Sequence, residues 1–172
     1  MKHLLIILLC IHAACIYGII HDQITARICV EYFTIGHPPI FHTTDPTLLG
    51  IGWGIFATWW VGLLLGVPLS YAALHGDAPQ RSLRSLLWPI AILLIGMGVI
   101  AALAGVIGFI LATGHGLILF EPLASAVPIK RHTAFITDLC IHQASYAGGF
   151  FGGAILCVKV WRSRGRDSRS EG

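Results

Sequence analysis

Charged side chains are scarce in this sequence. Only 11% of its 172 residues are Asp, Glu, Lys or Arg, against about 25% in a soluble domain. So few charges cannot cover a water-facing surface, so the solvent for most of the chain must be lipid. Signature spacings are missing too. There is no CxxC, HExxH, CxxCH or ExxH, and no nucleophile–base pair, which argues against a hydrolase. The five cysteines are an odd number and lie mostly in apolar runs. They read as small buried hydrophobes, with a Cys29–Cys140 pair as the alternative. A nucleic-acid surface is excluded as well. The formal charge is only +3, and five of the eleven basic residues crowd into the last fourteen positions.

What is present is hydrophobic. The chain is 56% hydrophobic, with mean hydropathy +0.80. Its eight prolines and twenty glycines lie within or between apolar runs rather than in polar tracts, which argues against disorder. A span needs roughly 20 apolar residues, so the length allows four spans with short loops and no separate soluble domain. The expected fold is an all-α integral membrane four-helix bundle, N-in/C-in. Residues 1–158 form a single transmembrane domain, with spans at about 4–32, 46–75, 86–113 and 133–158. Residues 159–172 form a basic cytoplasmic tail, expected to be disordered.

The first run, Leu4 to Ile20 after Lys2, resembles a signal peptide in outline. It continues without a break past Ala13–Ala14, which favours an uncleaved helix. Ile24, Ile28 and Tyr32 extend the helical spacing. Pro38–Pro39 then block continuation. Asp45 before Pro46 predicts a helix start, an N-cap oxygen followed by a proline at N1. Pro68, near Gly66, predicts a kink in the second span. Ser85 is the expected cap of the third span, with Pro89 in its first turn and Gly114 as its stop.

Orientation follows from the basic residues. Four spans put Lys2, Arg81, Arg84, Lys159, Arg162, Arg164, Arg166 and Arg169 on one side, and Arg27, Lys130 and Arg131 on the other. The larger group marks the cytoplasm, and a plasma (inner) membrane location is expected. Tyr71, Trp88 and Trp161 fall where an inner aromatic belt belongs. Small residues recur at Gly50/Gly54, Gly62/Gly66, Gly105/Gly108, Gly148/Gly152 and Gly149/Gly153. Such faces let helices approach closely, within the chain, in a homo-oligomer or against a membrane partner.

The chemistry concentrates in the outer half. YGIIHDQITARICVEYFTIGHPPIFH, residues 17–42, packs histidines, acids and an arginine after an apolar run. At about 1.5 Å per residue, His21 and Asp22 lie roughly 8–9 Å inside a boundary at Arg27. Asp138 and His142 lie roughly 8 and 14 Å inside one at Thr133. The two pairs lie at similar depth, on helices that could be neighbours. Asp138 and His142 are also one turn apart on one face.

Ionisable groups in a span cost at least ~2.5 kcal/mol each at its centre and usually pair. One reading is a metal or haem centre built from His21, Asp22, Asp138 and His142, with His37 and Glu31 as further candidates. His115 and His132 are placed to close it from the loops. A mixed N and O set suits iron, zinc, copper or manganese. A second reading is a structural polar knot, an aspartate paired with Arg27 or a histidine. A third is an ion or proton pathway through Asp22 and Glu31. Trp59–Trp60 serve as bulk or line a cofactor pocket.

Overall fold

The computed structural model describes the backbone of residues 1–170 and the side chains of residues 1–164. Among the described residues all regular structure is helical. The order is α1 (Lys2–Ile28), α2 (Val30–Thr34), α3 (Pro46–Phe56), α4 (Trp59–Leu74), α5 (Leu83–Thr113), α6 (Leu123–Ala126), one 3-10 turn (Ile129–Arg131) and α7 (His132–Ser170). Four segments are long and apolar enough to cross a membrane: Lys2–Ile28, Pro46–Leu74, Leu83–Thr113 and Ile129–Arg164.

Helix starts follow local chemistry. The Asp45 carboxylate accepts from the Thr47 and Leu48 N–H groups at 2.8 and 2.9 Å, with Pro46 at the first helical position. This is the predicted N-cap. The third span begins earlier than expected. Ser82 caps it by accepting from the Ser85 N–H, so Pro89 falls in the second turn. Starting there satisfies an N–H that a cap at Ser85 would leave free.

Two helices break where no proline stands. α1 does not run on to Tyr32, because Cys29 is extended (φ −148, ψ 95). Tyr32 N–H reaches back only to Cys29 O. The Ile28 carbonyl, which a continuous helix would spend on that N–H, accepts instead from Arg131 Nη2 at 3.0 Å. α2 consequently buries Tyr32 and Phe33, while Ile24 before the break stays 60% exposed. The second span is interrupted at Ala57–Thr58 rather than at Pro68, which sits inside α4. There the Thr58 hydroxyl donates back to the Gly54 carbonyl, a local bond that competes with the helix ladder.

α1 packs against α3 and α4, and α5 runs along α7. The predicted glycine pairs make both contacts inside the chain. A Cβ on Gly54 would stand 2.6 Å from Ile19 Cα, and one on Gly62 would stand 2.6 Å from Ile11 Cα. Only glycine permits these approaches of backbone to backbone. Gly105 and Gly108 likewise receive Ile141 and Cys140 of α7. The outward face of α5 remains bare, with Ile92, Ile95, Leu103 and Ile110 all exposed, as a lipid-facing stripe should be.

The core is in two parts. One apolar cluster, with Tyr32, Phe33, Trp53 and Phe135, closes the end bearing α2 and α6. The other, with Ile6, Leu69, Leu86 and Leu156, closes the end bearing the N-terminus and the α4–α5 loop.

The tail expected to be disordered from residue 159 is helical as far as Ser170, while 171–172 lie outside the described residues. Its anchor is Arg164, 1% exposed. The guanidinium donates to the carbonyls of Ala72 (3.0 Å), His75 (2.8 Å), Ala78 (2.6 Å) and Pro79 (2.8 Å). These belong to the end of α4 and the loop after it, whose carbonyls have no helical partner. A cation there also suits the helix dipole.

Candidate functional site

Between the two apolar clusters, α1 and α7 bring their ionisable groups together. His142 Nε2 stands 3.4 Å from Asp22 Oδ1, with both side chains 8% exposed. The His21 ring meets the His142 ring edge to face, centroids 4.8 Å apart. His21, Asp22 and His142 each offer a ligand atom, and these atoms lie within 4.8 Å of one another. Asp138, fully buried, places Oδ1 3.8 Å from His142 Nδ1. The pairing across α1 and α7 that depth and spacing predicted is therefore present.

Proton placement makes this arrangement unusual. His142 Nδ1 lies 2.9 Å from the Asp138 backbone carbonyl. A carbonyl only accepts, so Nδ1 carries the proton, and in the neutral ring Nε2 is then a lone pair. That lone pair points at a carboxylate oxygen. With a neutral ring two acceptors would face each other, so a positive charge belongs between them, either a proton shared by Nε2 and the carboxylate or a bound cation. Nearby, His21 Nε2 and both carboxylate oxygens of Asp138 are buried without a hydrogen-bond partner among the described residues. Buried polar atoms are rarely left this way. The cluster is rich in electron pairs and poor in donors, the character of a cation site.

The other candidates stand apart from this group. Glu31 pairs with Arg131 at 2.9 Å and accepts from the Cys29 thiol at 3.4 Å, so it fastens α2 to the start of α7. Burial raises the Glu31 carboxyl, but hydrogen bonds from its own backbone N–H, Arg131 and Cys29 outweigh this and hold it below the usual carboxylate value. His37 sits in the aromatic cap, its centroid 4.5 Å from Trp53 and 4.9 Å from Tyr32. Its Nδ1 donates to the Tyr32 carbonyl at 2.8 Å. Burial is the main cause that keeps this imidazole below its ordinary pKa. His132 donates to the Val127 carbonyl, and His115 is exposed. Arg27 bonds to Gln23 and Thr47, not to an aspartate as the polar-knot reading allowed. All five cysteines are free.

Three neighbours were not singled out from the sequence as part of the site. Tyr32 stacks on His142 at 4.3 Å and roofs it. The Tyr17 hydroxyl and Ser145 Oγ are 2.8 Å apart, tying α1 to α7 one turn below His21 and His142. Helical spacing carries the signal: Tyr17/His21 and Asp138/His142 are i,i+4 pairs, and Ser145 follows His142 by three.

A cavity of about 840 Å³ opens from the cluster between α1, α4, α5 and α7. Trp60 lines it, whereas Trp59 does not. His21, Asp22 and His142 all border this space.

By length and composition four segments can cross a bilayer, and they point to an integral membrane protein, helical throughout its described regular structure, with a buried histidine–aspartate cluster. Comparison with known protein families, with curated proteins and with solved structures finds no match.

Proposed function

We propose that the protein binds a first-row transition-metal ion through His21, Asp22 and His142, in the half of the bilayer away from the cytoplasm. The carrying observation is the convergence of one ligand atom each from His21, Asp22 and His142 within 4.8 Å of one another, with His142 Nε2 3.4 Å from Asp22 Oδ1. Two imidazoles and one carboxylate suit iron, zinc or manganese, and leave coordination positions open toward the cavity. Asp138 acts on the ligands rather than as one: its carbonyl fixes the His142 tautomer, and its carboxylate adds negative charge beside the ring. Haem fits poorly. The His21 and His142 rings touch edge to face, leaving no room for a macrocycle between them.

The basic residues at Lys2, Arg81, Arg84 and along the end of α7 support a topology with both termini and the α4–α5 loop in the cytoplasm. Elemental analysis of the purified full chain tests the metal. The reading predicts one metal per chain, lost in His142→Ala and Asp22→Asn while helicity is retained. A folded, metal-free wild type under metal-replete expression refutes it and leaves a protonated Asp22–His142 pair as a structural knot.

A further inference from the structure

The cavity extends well beyond the metal ligands. On α7 its lining runs from His142 to Cys157, about 22 Å along the helix axis. Trp60 and Leu64 of α4 and Tyr146 and Phe150 of α7 border it and are exposed, so it is open sideways to the bilayer. Its volume, about 840 Å³, is in the upper range for pockets that enclose a small molecule.

The lining is uneven along this length. Every hydroxyl of tyrosine or serine, every imidazole and the one carboxylate that border it lie toward one end, at Tyr17, His21, Asp22, His142, Ser145 and Tyr146. The far part is bordered by Leu65, Pro68, Ile90 and Cys157. Among the described residues no lysine or arginine borders any part of it. A phosphate headgroup would therefore be unpaired there. What fits is a neutral amphiphile with a flat head that both donates and accepts hydrogen bonds, and a long apolar tail.

We infer that the cavity binds a lipid-soluble quinone or quinol drawn sideways from the bilayer, its ring oxygens meeting Tyr17, Ser145 and Tyr146 and its chain lying along α7. The inference names the ligand class of the proposed metal site, and rests on that reading only in setting the ring beside the open coordination positions. Aromatic Trp60 and Tyr146 offer faces for the ring. The apolar part of the cavity, bordered by Leu65, Pro68, Ile90 and Leu94, takes the chain.

The test uses the full chain in detergent, titrated with decyl-benzoquinone and read by quenching of tryptophan fluorescence, which Trp60 at the cavity wall should report. The wild type should quench saturably at one site. Ala154→Phe, which adds bulk at an exposed lining position without entering the core, should abolish the saturable phase. Tyr17→Phe should weaken it about fivefold, the loss of roughly one hydrogen bond, and should leave metal content unchanged. No saturable quenching in the wild type overturns the inference. So does equal quenching in Ala154→Phe, or displacement of the quinone by dioleoylglycerol or oleate at the same concentration, which would identify a general lipid site. The two proposals fail separately: metal without quinone binding sinks this one alone, and quinone binding without metal sinks the metal centre alone.

Discussion

Replacing Arg164 by alanine should destabilise the bundle end that carries the termini. Its guanidinium is 1% exposed and holds four carbonyls at 2.6–3.0 Å. A hydrogen bond to a charged group contributes about 1.5–3 kcal/mol net, so four suggest about 6–12 kcal/mol gross. Two effects cut this down. The buried cation has no carboxylate partner among the described residues, and its desolvation costs several kcal/mol. The loop carbonyls of Ala78 and Pro79 can also regain water once the side chain is gone. A loss of about 2–4 kcal/mol remains. At roughly 2–4 °C per kcal/mol for a chain of this size, the unfolding midpoint should fall by about 4–16 °C. Lysine should recover less than half, since a compact ammonium cannot reach four divergent carbonyls. Circular dichroism melting of the detergent-solubilised chain measures this, and proteolysis of the 75–82 loop should quicken in parallel. A midpoint within 1 °C of wild type, with the loop equally protected, would refute the clamp.

Three further outcomes are expected. Because hydrogen bonding holds the Glu31 carboxyl below its ordinary value, its contribution is full above the usual carboxylate range. It is lost as pH falls through the lowered value, where protonation releases Arg131. Glu31→Gln should therefore flatten the acid arm of a thermal-stability profile and cost about 1 kcal/mol or less at neutral pH; an unchanged acid arm counts against the latch. Gly62→Val should separate α4 from α1, since a Cβ there meets Ile11 Cα at 2.6 Å. A cost of about 1–3 kcal/mol is expected, and a wild-type melting curve would contradict the packing. For topology, an impermeant thiol reagent on intact cells should label His42→Cys and spare Arg84→Cys, both positions being exposed; the reverse pattern overturns the side assignment.

Depth and spacing made much of this legible. Asp22 and His142 were expected to face each other because unpaired ionisable groups in hydrocarbon are costly, and Asp138 joined them through the helical repeat. The glycine faces and the Asp45–Pro46 start were equally readable. Glu31 was not, because its partner Arg131 lies 100 residues away and only the fold brings them together. Arg164 was read with the tail, since in sequence a lone arginine in a basic run looks like any other. Its burial depends on the loop after α4 turning carbonyls toward it. The interruptions at Cys29 and Ala57–Thr58 carry no Gly or Pro at the break itself, and at the first the freed Ile28 carbonyl is taken by Arg131, a partner only the fold brings near.

X-ray absorption at the metal edge of the Zn²⁺- or Fe²⁺-loaded chain tests the central claim most directly. Two imidazole nitrogens and at least one oxygen at about 2.0–2.2 Å, falling to one imidazole in His142→Ala, is the predicted result. An all-oxygen shell, or a spectrum that His142→Ala leaves unchanged, would contradict a shared centre between α1 and α7.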